Sequence, residues 1–470
     1  MSFNLHLRDY QVKAVTDIRS AYRSGAQCPL LVMPTGSGKT VVFSYITYHV
    51  AQTGKKIFVI VHRRELLRQA SKQLTDIGVK HGFITAGSPM SRHNVQVCTI
   101  QTLAKRMEKI DIYPDLIICD EFHHSTSSTW KKVLGYFNRA RILGCTATPE
   151  RLDGSGLGDN HGGFADRMIL GPSVRELVQQ GWISKPVIYC PPAGIDLKGI
   201  RKSMGDYAKN ELEERIDRPK IIGNVIEHYK KICPGRRAMA FCVSVKHAEE
   251  VAKEFNFAGI PAASIDGKMS DRVREERLNG LKDKKYLVLT SCELVNEGID
   301  IPAVSVAVFL RPTMSLGLYL QQTGRCLRIF PGKKETIVLD HVGNVHRHGH
   351  PVLDREWSLG GMKKRRKKDV QKGFNFRTCQ KCWAAFPVHK TVCPQCGTQY
   401  TLTPREIEVS AGELKKYEEI QRKRNNRAEV WKSKTLDSLI KLGKSRGYKY
   451  PLQWAEKIIE HREKKRNERV

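Results

Sequence analysis

Lys39 and Thr40 close a glycine-rich turn, Pro34–Thr35–Gly36–Ser37–Gly38, that follows the apolar run Leu30–Leu31–Val32–Met33. Residue types in that order build a phosphate cradle. Gly36 and Gly38 let the backbone turn and bring its N–H groups against phosphate oxygens, and the start of the next helix adds partial positive charge. Lys39 would reach the β- and γ-phosphates, with the Thr40 hydroxyl at a Mg2+ position. Met33 stands where the general pattern has its first glycine, so the match is not strict. The plainer alternative is an ordinary glycine-rich strand-to-helix turn.

Further along, the apolar stretch Leu116–Cys119 delivers two adjacent carboxylates, Asp120 and Glu121, followed by Phe122, His123 and His124. Parallel α/β sheets place ligands at the C-terminal ends of their strands. There Asp120 would hold Mg2+ through its waters and Glu121 would orient or deprotonate an attacking water; His124 has no evident chemical part. Thr146 and Thr148 end another apolar run and could relay the state of a nucleotide to a bound strand. Gln11 carries a donor and an acceptor on one amide, the pairing that an adenine edge asks for. Gln321–Arg328 places Arg325 and Arg328 three apart on one helix face, where they could serve as arginine fingers on a γ-phosphate or be a surface basic pair. A last constellation is Cys379–x2–Cys382–x10–Cys393–x2–Cys396. Two C–x2–C arms give four thiolates, a closed tetrahedral donor set for a structural Zn2+; redox chemistry or an iron–sulfur cluster are the competing readings.

These side chains require elements to hold them. Apolar strand patterns alternate with helical ones from the N-terminus to about residue 180, and a second alternation runs over 237–310, which implies parallel sheets. The helical pattern 7–24 carries Gln11, and that of 40–52 follows the phosphate turn. His62–Gln69 enters a helix with Arg63 and Arg64 near a strand end, either to meet a nucleic-acid backbone or as a charged helix face; Thr99 and Thr102 could hydrogen-bond phosphates. The glycine-rich stretch 150–163 reads as a mobile loop, and Gly181–Pro186 as a domain boundary. Glu297–Pro302 sets Gly298 and Asp300 between strands.

The chain has 470 residues, with 80 Lys+Arg against 48 Asp+Glu and a formal charge of +32. Such an excess argues for a polyanionic partner, nucleic acid before membrane. It is uneven: from Gly361 onward 29 basic residues face 12 acidic ones, including the unbroken block Lys363–Lys368. No stretch is apolar for long enough to span a bilayer and the N-terminus lacks an apolar signal core. Nine of the 13 cysteines lie scattered in apolar contexts, as reduced thiols of a cytoplasmic protein do.

Taken in order, Gln11, the phosphate turn, His62–Gln69, Thr99–Leu103, Asp120–His123, Thr146–Thr148, Thr290–Pro302 and Gln321–Arg328 resemble the motif series of the superfamily 2 helicases. The likeness is to the DExH-type, XPB-like branch, similar to bacterial RadD-like DNA repair helicases and related phage helicases. It implies an α/β fold of two tandem RecA-like parallel-sheet domains, 1–185 and 186–350, then a basic linker 351–375, a four-Cys zinc ribbon 376–402 and a basic helical tail 403–470. By the same resemblance Arg8, Gln11, Pro34 to Thr40, Gly298 and Asp300 belong to ATP binding. Lys39, Asp120, Glu121, Arg325 and Arg328 belong to hydrolysis, Thr40 and Asp120 to Mg2+, and Thr146, Thr148 and Gln321 to coupling. Arg63, Arg64, Thr99, Thr102 and Thr290 belong to nucleic-acid contact. Implied cofactors are ATP, Mg2+ and structural Zn2+. The implied partner is DNA, single-stranded, forked or duplex, with RNA as the alternative, no membrane, and a monomer working in the bacterial or phage-infected cytoplasm. A scaffold with an inert motor is the competing class.

Overall fold

The structure, a computed structural model, describes residues 6–89, 91–151, 154–190, 197, 199–203, 206–215, 218–292, 301–361, 376–400, 433, 435–448 and 450–467. Gly298, Asp300, the block Lys363–Lys368, Phe374 and the charged helical pattern 413–427 lie outside the described residues.

Seven short strands form the first sheet: β1 (Pro29–Val32), β2 (Ile57–Val61), β3 (Gly82–Ile84), β4 (Val95–Thr99), β5 (Leu116–Cys119), β6 (Arg141–Thr146) and β7 (Arg167–Leu170). Their order is β3-β4-β2-β5-β6-β1-β7, and every pairing is parallel. Helices cover both faces, so β1, β2 and β5 are buried along their whole length and read as unbroken apolar runs. Successive residues still alternate between the two cores. Leu31, Val59 and Ile118 pack on one side, Leu30, Phe58 and Ile117 on the other. The C-terminal ends of β1, β2, β5 and β6 therefore bring the phosphate turn, His62, Asp120 and Thr146 to one edge.

A second all-parallel sheet is built from β8 (Lys185–Tyr189), β11 (Ala238–Phe241), β12 (Ala262–Ile265), β13 (Val288–Ser291), β14 (Val306–Phe309) and β15 (Glu335–Asp340), in the order β12-β13-β11-β14-β15-β8. A hairpin of β9 (Lys202–Ser203) and β10 (Asp206–Tyr207) lies between β8 and β11 in the chain. β8 contains Pro186, which an edge strand tolerates because one side of it needs no ladder donor.

The small antiparallel pair β16 (Phe376–Thr378) and β17 (Ala385–Pro387) carries the four cysteines. It leans on β8: Ala384 bridges Tyr189, and the Cys190 N–H donates to the Trp383 carbonyl at 2.8 Å. Residues after the second sheet return to the first. Trp357 and Leu359 pack against its core, and the Gly158 N–H donates to the Leu359 carbonyl. The glycine-rich loop is thus anchored where the sequence suggests freedom. Leu157 is fully buried, and Gly156 lies so close to Leu359–Gly361 that a Cβ would collide with backbone.

Residues 433–467 form a separate unit of two helices, Leu436–Ser445 and Pro451–Asn467. Gly443 permits their close approach at Pro451 and Trp454. Among the described residues no helix is long and apolar enough to cross a membrane.

Candidate active site between the two lobes

The phosphate turn has the backbone its glycines were expected to allow. Gly36 and Gly38 sit at φ +88° and +83°, and Gly38 caps the helix Lys39–Ala51. Met33 is fully buried, and its side chain lies over Gly171, where a Cβ would come within 2.4 Å of Met33 Cγ. The bulk that departs from the general motif is absorbed by a glycine just past the neighbouring strand β7. Lys39 Nζ donates to the Met33 carbonyl at 3.1 Å, folded back on its own loop.

Gln11 is buried, on the helix Asp9–Arg23. Its amide donates to the Ser37 carbonyl at 3.2 Å and its Oε1 accepts from the Arg8 N–H at 3.0 Å. A Cβ on Gly38 would approach the Gln11 Nε2 to 2.5 Å. Tyr10 was not singled out by sequence, yet its hydroxyl donates to the same Ser37 carbonyl and accepts from Arg8, whose guanidinium lies 3.9 Å over the Trp182 ring. The adjacency of Tyr10 to Gln11 and the tryptophan at the lobe boundary were the available signals.

Asp120 and Glu121 are both buried at the end of β5. Burial, with Glu121 beside it, raises the Asp120 carboxyl to about 6 against the pull of Lys39. A carboxylate held at such cost is a fitting ligand for a cation, and with the Thr40 hydroxyl it suits Mg2+. Glu121 has φ +50°, ψ +50°, a left-handed conformation that a non-glycine residue adopts under constraint. His123 Nδ1 lies 3.4 Å from the Glu121 carboxylate and 3.3 Å from the Thr146 hydroxyl, which itself donates to the Thr148 carbonyl. His124 packs between His123 and His62 with tilted rings, at centroid distances of 4.2 and 4.6 Å.

The second lobe closes directly on this edge. Gln321, on the helix Leu316–Cys326, reaches from it to donate to Glu121 at 3.4 Å. Gly324 sits so tightly on Thr35 that a Cβ would meet Thr35 Cβ at 2.6 Å, and the Arg328 side chain lies at Gly36. Gly317 approaches Thr148 in the same manner. Arg325 and Arg328 are half-buried. The backbone of Arg328 bridges Ile183 in the segment that joins the lobes, and Ser184 donates to the Leu327 carbonyl through both its N–H and its hydroxyl.

The residues expected to contact nucleic acid differ in exposure. Arg64 is exposed and Arg63 half-buried. Thr99 is buried and shares its hydroxyl with Thr85 and Thr102, leaving Thr102 the more accessible. Thr290 is fully buried in β13, and its hydroxyl donates to the Ala248 carbonyl at 2.6 Å.

The four cysteine sulfurs lie within 4.8 Å of one another, with Cys379 to Cys396 at 3.5 Å and Cys382 to Cys393 at 3.6 Å. None forms a disulfide. Tetrahedral Zn–S bonds of ~2.3 Å place sulfurs about 3.8 Å apart, so the donor set fits zinc. Of the aromatic residues nearby, Phe386 is buried inside the ribbon, Phe376 stacks on His350, and Trp383 packs edge-on to His228 with Lys231 over its ring; these are packing contacts.

Residues 4–151 match the family described as "Type III restriction enzyme, res subunit", and residues 220–330 match "Helicase conserved C-terminal domain". A 51.5 kDa protein of a Lactococcus phage is 31% identical over 376 residues, spanning 79% of this chain and 78% of the relative. The DNA 3'-5' translocase XPB2 of Sulfurisphaera tokodaii is 25% identical over 72% of this chain and 82% of its own. Among solved structures, a fragment assigned to the HsdR subunit of a type I restriction enzyme from Vibrio vulnificus has the same fold, with a TM-score of 0.58 at 21% identity; the match covers 73% of this chain and 66% of the fragment.

Proposed function

This chain belongs to the superfamily 2 helicases, as an ATP-dependent motor of the helicase or translocase type, and we propose that it moves on DNA by hydrolysing ATP in the cleft just described. The observation that carries the reading is the contact of Gln321, Gly324 and Arg328 from one lobe with Glu121, Thr35 and Gly36 from the other. A single site assembled from two bodies can open and close with its nucleotide.

In that site Arg8, Gln11 and Tyr10 hold the loop from behind, and Gln11 is placed to take the adenine edge. The N–H groups of Pro34–Thr40 hold phosphates (Pro34 through position alone, having no N–H), and Lys39 leaves the Met33 carbonyl to meet them. Thr40 and Asp120 would ligate Mg2+, which neutralises charge on the transferred phosphate when bound. Glu121 orients the attacking water, kept in place by Gln321 and His123. Arg325 and Arg328 meet the developing charge only when the lobes are closed, so hydrolysis is tied to closure. Thr146 and Thr148 lie between Glu121 and the helix Leu316–Cys326, a route by which the state of the nucleotide reaches the second lobe. Gly298 and Asp300 complete the proposed nucleotide set, with Arg63, Arg64 and Thr102 on the strand side. The lobes are assigned to 1–185 and 186–350, the linker to 351–375, the zinc ribbon to 376–402 and the tail to 403–470.

DNA is favoured over RNA by the XPB2 relative, and the +32 charge supports a polyanionic track of either kind. ATPase assays with single-stranded DNA, duplex, fork and RNA test the reading. We expect stimulation by DNA above RNA, and a loss of at least about 100-fold in kcat for Lys39→Ala. Equal rates for wild type and Lys39→Ala, or stimulation by RNA alone, would overturn it.

A further inference from the structure

Among the described residues, no carboxylate forms an ion pair with the ammonium of Lys333. This lysine follows the arginine-bearing helix by seven residues, and its Nζ donates to the carbonyls of Val304 (2.6 Å), Arg328 (2.7 Å), Pro302 (3.5 Å) and, closest of all, Cys326. Four backbone oxygens from two segments converge on one nitrogen. Cys326 is the last residue of the helix Leu316–Cys326, and Arg328 is in the turn that follows. Pro302 and Val304 belong to the turn that leads into β14, just after the segment with Gly298 and Asp300.

A helix ends with carbonyls that have no partner inside it and with partial negative charge. Here the Leu327 carbonyl is satisfied by Ser184 and the Cys326 carbonyl by the Thr336 hydroxyl as well as by Lys333. The Arg328 carbonyl is gathered by Lys333. Hydroxyls could have satisfied isolated carbonyls. A compact cation with three N–H donors and no acceptor is what draws several oxygens from separate segments to a point.

We propose that Lys333 is a positioning residue for ATP hydrolysis, clamping the arginine-bearing turn to the segment after Asp300 so that Arg325 and Arg328 enter the cleft in one fixed geometry. The inference rests on the reading of those arginines given above. Lys333 touches no nucleotide; it acts through the backbone on either side of Arg325 and Arg328. Burial disfavours the charge and lowers the ammonium from the usual lysine range to about 8, so the carbonyls that surround it are what the cation has in place of solvent.

The test compares Lys333→Met, Lys333→Arg and Thr336→Val with the wild type in DNA-stimulated ATPase, nucleotide binding and thermal melting. Thr336→Val removes a hydrogen bond to the same Cys326 carbonyl without removing the cation. Lys333→Met is expected to lose about 10- to 100-fold in kcat, the cost of misplacing a catalytic group by an ångström or less. Its KM and its affinity for a fluorescent ADP analogue should stay within about threefold, since the phosphate loop is untouched. Lys333→Arg keeps the charge and should recover part of kcat. Thr336→Val should lower the melting temperature while holding kcat within about twofold. A folded Lys333→Met with wild-type kcat overturns the clamp, and so does a rise in KM at unchanged kcat, or an equal fall in kcat for Thr336→Val. Lack of ATPase in the wild type would instead overturn the motor reading.

Discussion

Asp120 shows how one side chain can set the working range of the site. Burial lifts its carboxyl to about 6, with Glu121 adding and Lys39 subtracting. Because the folded value lies above the unfolded one, this group favours folding most below the ordinary carboxylate range, and that contribution is lost as pH rises through about 6. Ligand binding runs the other way, since Mg2+ requires the ionised form. At pH 5.5 only about a quarter of the molecules would carry the carboxylate, so affinity for Mg–ADP should fall about fourfold between pH 7.5 and 5.5. Titration calorimetry with and without Mg2+ reads this. Nucleotide phosphates titrate in the same range, so the part of the drop that survives in Asp120→Asn is theirs. If the whole drop survives, the Asp120 account fails. Residue chemistry of this kind was legible in the sequence because Asp120, Glu121, Lys39 and Gln11 are recognised by type and spacing. Lys333 was not legible: its partners are backbone carbonyls, which carry no signature in side-chain identity. The hydroxyl of Thr290 was not legible for a related reason, since a threonine in a buried strand looks the same in sequence whether its hydroxyl faces a ligand or the Ala248 carbonyl.

Elements are where local pattern and tertiary context part company. The central strands β1, β2, β5, β11 and β14 are unbroken apolar runs and could be read directly. The edge strands β7 and β8 could not, because half-exposed Arg167–Leu170 and proline-bearing Lys185–Tyr189 take their structure from the neighbours they pair with. Helices contribute a contact that sequence reading had no means to see. Glu65, on Arg64–Asp76 of the first lobe, accepts from the buried guanidinium of Arg274, on Asp271–Lys282 of the second, and Arg68 pairs with Asp271 at 2.5 Å. The two pairs differ in weight. Arg68 and Asp271 are more than half exposed, worth at most about 1 kcal/mol. Arg274 is nearly enclosed, and removing Glu65 leaves it only the looser Asp271 carboxylate at 3.6 Å and the Met269 carbonyl at 3.2 Å, a loss of more than about 1 kcal/mol though less than the roughly 3 kcal/mol of a fully stripped buried charge. Glu65→Ala should therefore weaken lobe closure and DNA-stimulated ATPase, while Arg68→Ala should change either by less than about threefold. The reversed pair Glu65→Arg with Arg274→Glu should recover part of what each single reversal loses. A double variant no better than the worse single variant would show that the pair does not couple the lobes.

At the scale of the whole molecule, two appendages make different demands on the motor. The cysteine ribbon extends the edge of β8, and a sheet edge without its cover invites pairing with other chains. Stripping zinc with a chelator, or replacing Cys393 by Ser, should therefore lower the melting temperature and bring aggregation. A ribbon whose removal leaves melting and solubility unchanged would not be structural. The basic excess beyond Gly361 is visible in composition alone, and a grip on DNA by that stretch would be a matter of charge. Each duplex phosphate neutralised contributes about −0.9 to the slope of log K against log salt. Replacing all six cations of Lys363–Lys368 by Gln should make that slope shallower by up to about 5 for duplex DNA. ATPase measured without nucleic acid should stay as it was, because the lobes that build the cleft are untouched. If the slope is unchanged, the block is a solvated stretch and the grip on DNA lies with Arg63, Arg64 and the lobes; if basal ATPase collapses as well, the block serves the fold of the motor rather than its track.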